Sequence, residues 1–411
     1  MIWRPFTQEK TAPPAMKIIR GDGAYLISET GEKYLDMISS WFVNLHGHGN
    51  REIAEAIGEQ AKILEHVIFT RFSHDPAEKL VENLGKILPQ KLNRYFFSDN
   101  GSTAVEVALK MAYQYFRNIG LENRNIFLSL EGGYYGDTFG AMSVAGANSK
   151  YHATFSELFF KTIMIDVPEY YEGAESPEEK ENEIIQKLEK NLEEIGDRVC
   201  ALILEPLLQG SFGMRLYRSE FLEKLVKKVR EYGILVIFDE VMTGFYRTGT
   251  IFALNQTRAL PDLVCLSKGL TGGSLPLALT IATEKIYEAF LSDDKSKTFL
   301  HGHSYTANPI ACAAACKSLE ILLRQETLAK IKEIAEFHRG HAVSRAFKRR
   351  NIGVVAAFDA ESEVRANLVI DKAWENGIFL RPLGKTIYLF PPYCVGSDDL
   401  SRTYDLINKY L

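Results

Sequence analysis

No apolar run in this sequence approaches the length of a membrane span, and the opening residues, Met1 to Lys10, lack the apolar stretch of a signal peptide. A cytoplasmic protein without a membrane partner is therefore expected. Cysteine is scarce. Cys200, Cys265, Cys312, Cys316 and Cys394 sit mostly in apolar runs such as VCALIL and LVCLS, as reduced core thiols do, so no disulfide framework is expected. Cys312 and Cys316 stand one helical turn apart in ACAAAC, but no second Cys or His pair completes a tetrahedral set, and no metal site follows. Basic charge is not in excess either: a net charge of −5 gives no basic stripe, which speaks against nucleic acid as a partner. Walker and G-x-G-x-x-G patterns are both missing, and with them the common nucleotide seats. Neither an internal repeat nor a low-complexity tract is present.

What is present is an ordinary soluble composition, 46% hydrophobic and 25% charged. At 411 residues the chain exceeds the usual single-core size, so a large domain with a smaller one is expected. Gly21 to Met37 alternates apolar and polar residues around a turn at Glu29 to Gly31, the pattern of a hairpin. From about Arg51, helical patterns alternate with short apolar runs: RYFFS, NIFLSL, TIMIDV, CALILEP, ILVIFDE, DLVCLS and LALTIAT. That alternation predicts an α/β fold with a mainly parallel sheet flanked by helices. The acidic stretch from Pro168 to Asp197 carries Ile184, Ile185, Leu188, Leu192 and Ile195 at helical spacing, which predicts a surface helix. After an alanine-rich helix, the last part of the chain alternates again. The predicted division is residues 1–50 and 321–411 as two parts of a small α+β domain built from both chain ends, with 51–320 as the large domain.

Chemistry concentrates at strand ends. ILVIFDE stops abruptly in Asp239 and Glu240, and Asp239 then stands at the carboxyl end of a buried strand, where open α/β sheets bind ligands. A cap of the following turn is the plain alternative. DLVCLS likewise leads into Lys268 and a Gly-rich loop; a lysine there is costly unless paired or covalently used, although most lysines are surface ones. An acid and an amine at the ends of successive strands match the needs of a pyridoxal phosphate (PLP) ring: a carboxylate for its nitrogen and an amine for its aldehyde. The start of SDNGSTAVEVALKMA offers Gly101, Ser102 and Thr103 at a helix N-terminus, a phosphate seat if it is more than an ordinary N-cap. Tyr134 and Tyr135, between glycines in GGYYGDTFGAM, suit stacking on a flat cofactor, or core wedging. HGHSYTANP adds His301, His303, Ser304 and Thr306 as a second possible phosphate contact.

Together DNGSTAVEVALKMA, GGYYGDTFGAMSV, FDEVMTGFYRTG, LSKGLTGG and HGHSYTANPIACAAA, in this order along the chain, resemble the class III aminotransferases of PLP fold type I. Within that class WRPFTQ, SSW at Ser39 to Trp41 with the HGHGN loop, and RPLGKTIYLFPPY are similar to the branch that transaminates 8-amino-7-oxononanoate for biotin biosynthesis. The resemblance implies that PLP is bound, with Lys268 as its Schiff-base lysine, Asp239 at the ring nitrogen, Gly101 and Ser102 at the phosphate and Tyr134 on the ring. It implies substrate contacts from Trp41, Tyr134, Lys268, Gly302 and Arg381, whose guanidinium suits a substrate carboxylate. It also implies a homodimer with shared sites, His303 and Ser304 reaching the neighbour's phosphate and Gly302 lining its substrate pocket. Three departures stand out. Phe6 replaces the tyrosine of members that take S-adenosylmethionine as donor, Tyr135 replaces a frequent histidine, and Phe42 replaces a second tryptophan after SSW. S-adenosylmethionine remains the expected donor, with lysine the competing one. Another class III ω-amino acid aminotransferase is the nearest rival. A silent PLP-binding regulator would need a helix-turn-helix module, which the sequence does not show.

Overall fold

The computed structural model describes residues 2–147 and 151–411. All seven apolar runs become strands of one sheet: β1 Leu92–Ser98, β2 Ile126–Leu130, β3 Thr162–Ile165, β4 Val199–Leu204, β5 Leu235–Asp239, β6 Leu263–Leu266 and β7 Ala278–Thr283. Their order in space is β1-β7-β6-β5-β4-β2-β3, and only β7 runs antiparallel to its neighbours. Strands β2, β4, β5 and β6 are buried at every position, which is why they lack polar alternation in the sequence. Helices cover the sheet. Helix Gly101–Asn118 crosses beside β6 and β7, burying Ala104, Val105, Ala108, Leu109 and Ala112, while Ser219–Glu231 buries Phe221, Leu222, Leu225 and Val229.

The acidic stretch forms the expected helix, Pro177–Ile195, with Leu188 and Leu192 buried. Its acidic residues are not all solvated. Glu181 is buried and binds Arg218 and Lys224 of the neighbouring helix, while Glu189 pairs with Lys228. Cys200, Cys265 and Cys312 are buried thiols as expected, whereas Cys316 is half-buried and Cys394 exposed.

Both chain ends meet beside this sheet. Tyr25–Ser28 pairs antiparallel with Lys33–Asp36, as the hairpin pattern predicts, and Ile18–Asp22 adds a third strand. Ile378–Phe379 then joins Lys33–Asp36 in parallel, so residues far apart in the chain share one small sheet. A second small sheet, Phe347–Ile352, Val355–Asp359 and Thr386–Leu389, is wholly antiparallel. No helix among the described residues is long and apolar enough to cross a membrane.

Between the small sheets and the large one runs a segment of unusual backbone. Ser39, Ser40, Trp41 and Phe42 all have positive φ, at 50°, 45°, 72° and 73°. Left-handed conformation costs roughly 1–2 kcal/mol per L-residue, so four in a row must be held from outside. Ser39 Oγ donates to Phe390 O at 2.7 Å, and Ser40 Oγ to Asp36 Oδ2 at 2.7 Å. Arg247, fully buried, donates to Phe42 O at 3.4 Å, Asn44 O at 2.7 Å and Pro391 O at 2.9 Å. Its guanidinium also lies over the rings of Phe390 and Tyr393, at 4.6 and 4.9 Å. One buried cation thus binds three carbonyls and two ring faces, and ties the left-handed turn to the C-terminal segment.

Candidate active site

The parallel strands deliver ionisable side chains to one place. Leu204 of β4 stands level with Phe238 of β5, so the next residues, Glu205 and Asp239, are neighbours at the carboxyl edge of the sheet. Asp239 is level with Cys265 of β6, and Lys268 follows three residues on, at φ 48°. All three line a cavity of about 540 Å³. Its wall also includes Phe6, Trp41, Gly101, Ser102, Tyr134 and Arg381. Eight residues expected from the sequence to form the site are thereby gathered: Lys268, Asp239, Tyr134, Gly101, Ser102, Trp41, Arg381 and Phe6. Gly302, His303 and Ser304 are outside this cavity, in a loop where Gly302 and Ser304 are exposed and His303 Nε2 is buried with no hydrogen-bond partner among the described residues.

The electrostatics follow from burial. Asp239 accepts one hydrogen bond, from Val241 N–H at 2.9 Å, and burial pushes its pKa up to about 7, against the pull of that N–H and of Lys268. Glu205 accepts from Gly210 N–H at 3.0 Å and Tyr134 N–H at 3.1 Å; burial first, then the charge of Asp239, pushes it up to about 8. Lys268 is driven below the usual lysine range by burial, partly countered by Asp239 and Glu205 and reinforced by Arg247. Glu240 is also pushed up to about 7 by burial, but it is spent on structure: it accepts from Thr243 Oγ1 at 2.5 Å and from the N–H groups of Ala253 and Leu254.

The helix start at Gly101 is both a cap and an open seat. Asn100 accepts from Thr103 N–H at 3.1 Å and Thr103 Oγ1 returns the bond, so the Thr103 hydroxyl belongs to the capping box and not to a ligand. The Gly101 and Ser102 N–H groups remain at the cavity, where the helix dipole favours an anion. Gly101 has no room for a side chain, since a Cβ would meet Val241 Cγ1 at 2.8 Å. Gly136, at φ 120°, would place one 1.9 Å from Ser102 Oγ. Tyr134 sits half-buried with its hydroxyl on Asp137 Oδ2 at 2.8 Å. Burial and that carboxylate hold the phenol protonated, above its usual range. Of the two roles open to Tyr135, core wedging is the one found: it is 2% exposed and bonded to Ser129 Oγ at 2.9 Å.

Aromatic rings and one cation form the mouth. Arg381 lies 4.3 Å over the Trp41 ring, and Phe6 packs edge-on against Trp41 at 5.5 Å and Tyr151 at 6.2 Å. Glu205, Arg247 and Tyr151 escaped the sequence reading. Glu205 carried the same signal as Asp239, an acid closing an apolar strand in CALILEP. Arg247 and Tyr151 carried none, since neither a buried arginine nor a lone loop tyrosine differs in sequence from a surface one.

The family model for class III aminotransferases matches residues 6–411, and the chain belongs to that family. Its relatives narrow the class. It is 49% identical to the adenosylmethionine-8-amino-7-oxononanoate aminotransferase of Synechococcus elongatus, covering 100% of this chain and 98% of the relative. It is 38% identical to the enzyme of the same name from Geobacter sulfurreducens, over 99% and 95% of the two chains. Among solved structures, the Methanocaldococcus jannaschii enzyme of that name superposes with a TM-score of 0.90 at 35% identity, covering 100% of this chain and 96% of the other. A PLP-bound amine transaminase from an uncultivated Pseudomonas species gives 0.90 at 29% identity, over 99% and 97% of the two chains.

The raised carboxyls make a pH prediction. In the unfolded chain Asp and Glu lose their protons near pH 4, but Asp239 and Glu205 keep theirs to about 7 and about 8 when folded. The stability they contribute is full below the unfolded values and is lost as pH rises through the folded ones. The Tm of the cofactor-free protein is therefore expected to fall from about pH 4, where the unfolded carboxyls ionise, to about pH 8, where the folded ones do, and the fall to shrink in Asp239→Asn/Glu205→Gln. A double variant whose Tm falls as steeply as that of the parent would contradict these assignments.

Proposed function

We propose that the chain transfers an amino group to 8-amino-7-oxononanoate, giving 7,8-diaminononanoate for biotin biosynthesis, with PLP as cofactor and S-adenosylmethionine as donor. The observation that carries the proposal is the amine and carboxylate at adjoining strand ends in a cavity whose mouth joins Arg381 to Trp41. The donor set suits PLP: a buried carboxylate, a lysine lowered by burial, open N–H groups at a helix start and a half-buried tyrosine. When bound, PLP supplies an aldehyde carbon for amines and a ring that draws electrons from the substrate carbon. Asp239 would set its charge against the ring nitrogen, Tyr134 would cover the ring, and Gly101 and Ser102 would hold the phosphate. Lys268 Nζ, neutral at lower pH than an exposed lysine, can accept a proton from the substrate carbon and return it. Arg381 would bind the substrate carboxylate while Trp41 covers the aliphatic stem.

Supplying this protein with PLP, 8-amino-7-oxononanoate and S-adenosylmethionine is expected to yield the diamine, detected by mass. Phe6 lacks a hydroxyl at the mouth, and a hydrogen bond to a charged amine is worth about 1.5–3 kcal/mol. Phe6→Tyr should therefore lower the KM for S-adenosylmethionine by roughly tenfold or more. Rapid bleaching of the cofactor absorbance by lysine, with none by S-adenosylmethionine, would overturn the donor and leave the transaminase intact. No diamine with either donor, but turnover of another ω-amino acid, would favour the wider class III reading.

The active unit proposed is a homodimer in which Gly302, His303 and Ser304 serve the neighbouring site. Two features support it: His303 Nε2 has no hydrogen-bond partner among the described residues, and Leu300 and Tyr305 beside it are 80% and 66% exposed. A cytoplasmic location is proposed with it, in keeping with five unpaired thiols. Mixing inactive Lys268→Ala subunits with inactive His303→Ala/Ser304→Ala subunits should restore part of the activity through hybrid dimers. Proven subunit exchange without recovery would count against shared sites.

A further inference from the structure

Lys268 meets an aromatic face as well as carboxylates. Its Nζ lies 5.3 Å from the centroid of the Phe42 ring. That ring cannot drift: Phe42 is buried, packed at 4.8 Å from Phe390 and 5.8 Å from Tyr388, and its carbonyl accepts from Arg247. The backbone that presents it is the left-handed turn. An ammonium within about 6 Å of a ring face is attracted by the ring's negative face, more strongly where water is excluded. The other charges facing the amine are Asp239 at the end of β5, Glu205 after β4 and Arg247 in the loop after β5. The two carboxylates favour the ammonium, while Arg247 opposes it.

We propose that Phe42 is a positioning residue for Lys268: its ring face holds the amine when it is free of the cofactor and protonated, as it is before the cofactor bonds and after it has taken up the substrate proton. A free lysine side chain has four rotatable carbons and would otherwise wander within a cavity of this size. The ring gives it one resting place, and the attraction fades when the amine becomes neutral, so it does not oppose bond formation. This rests on Lys268 being the working amine. Failure of that premise would show separately, as turnover surviving Lys268→Ala.

The test is a graded one in cofactor-free protein. Phe42→4-fluoro-Phe, Phe42→3,5-difluoro-Phe and Phe42→3,4,5-trifluoro-Phe keep the ring's shape while progressively weakening its negative face. The titration of Lys268 is read by competitive acetylation across alkaline pH, with the modified peptide quantified by mass spectrometry. The expected result is a stepwise fall in the apparent pKa of Lys268, reaching about half a unit in the trifluoro variant, with Phe42→Leu at least as low. Unaltered circular dichroism and Tm show that packing is retained. A flat or rising series in folded protein overturns the proposal, because a purely structural ring would not respond to fluorine.

Discussion

Two carboxylates and an amine are held away from bulk water at the carboxyl edge of one sheet, and most of the structure is arranged around that fact. Burial alone would neutralise all three groups, as the upward pull on Asp239 and Glu205 and the downward pull on Lys268 record. They are tolerated because the parallel strands fix them side by side, so that each acid lowers the cost of the amine and the amine lowers that of the acids. The register of β4, β5 and β6 is what does this. A slip by one residue would turn Asp239 and Glu205 away from the cavity.

The sheet supplies the floor, and the chain ends supply the wall. Trp41 and Phe42 reach the cavity only because four residues adopt left-handed backbone, held by Asp36, Phe390 and Arg247. Arg247 has no carboxylate partner among the described residues; carbonyls and ring faces take its charge instead. The strain of the turn and the buried cation therefore explain each other, since each is stable only with the other in place. Arg381 repeats the theme at the mouth, lying over the Trp41 ring and lining the cavity.

Much of this was legible in the sequence. The seven apolar runs became the seven strands, because continuous burial leaves an unmistakable mark on composition. Asp239 and Lys268 were legible because a charge that ends such a run has few reasons to be there. Glu205 bore the same mark within CALILEP and was missed because no amine follows it on the next apolar run; the cation that favours its charge, Lys268, follows β6, two strands away in the sheet. The left-handed turn was invisible, since SSWF contains no glycine to announce positive φ. Tyr134 and Tyr135 were ambiguous in another way. Adjacent loop tyrosines look alike in sequence, and only packing separates the one facing the cavity from the one wedged beneath it.

The central claim is that Lys268 is the amine which bonds the cofactor. Loading the protein with PLP, reducing it with borohydride and locating the added mass in a digest tests it most directly. The account predicts the label on Lys268 and its loss in Lys268→Ala. A label on any other lysine, in a protein that still turns over substrate, would contradict it.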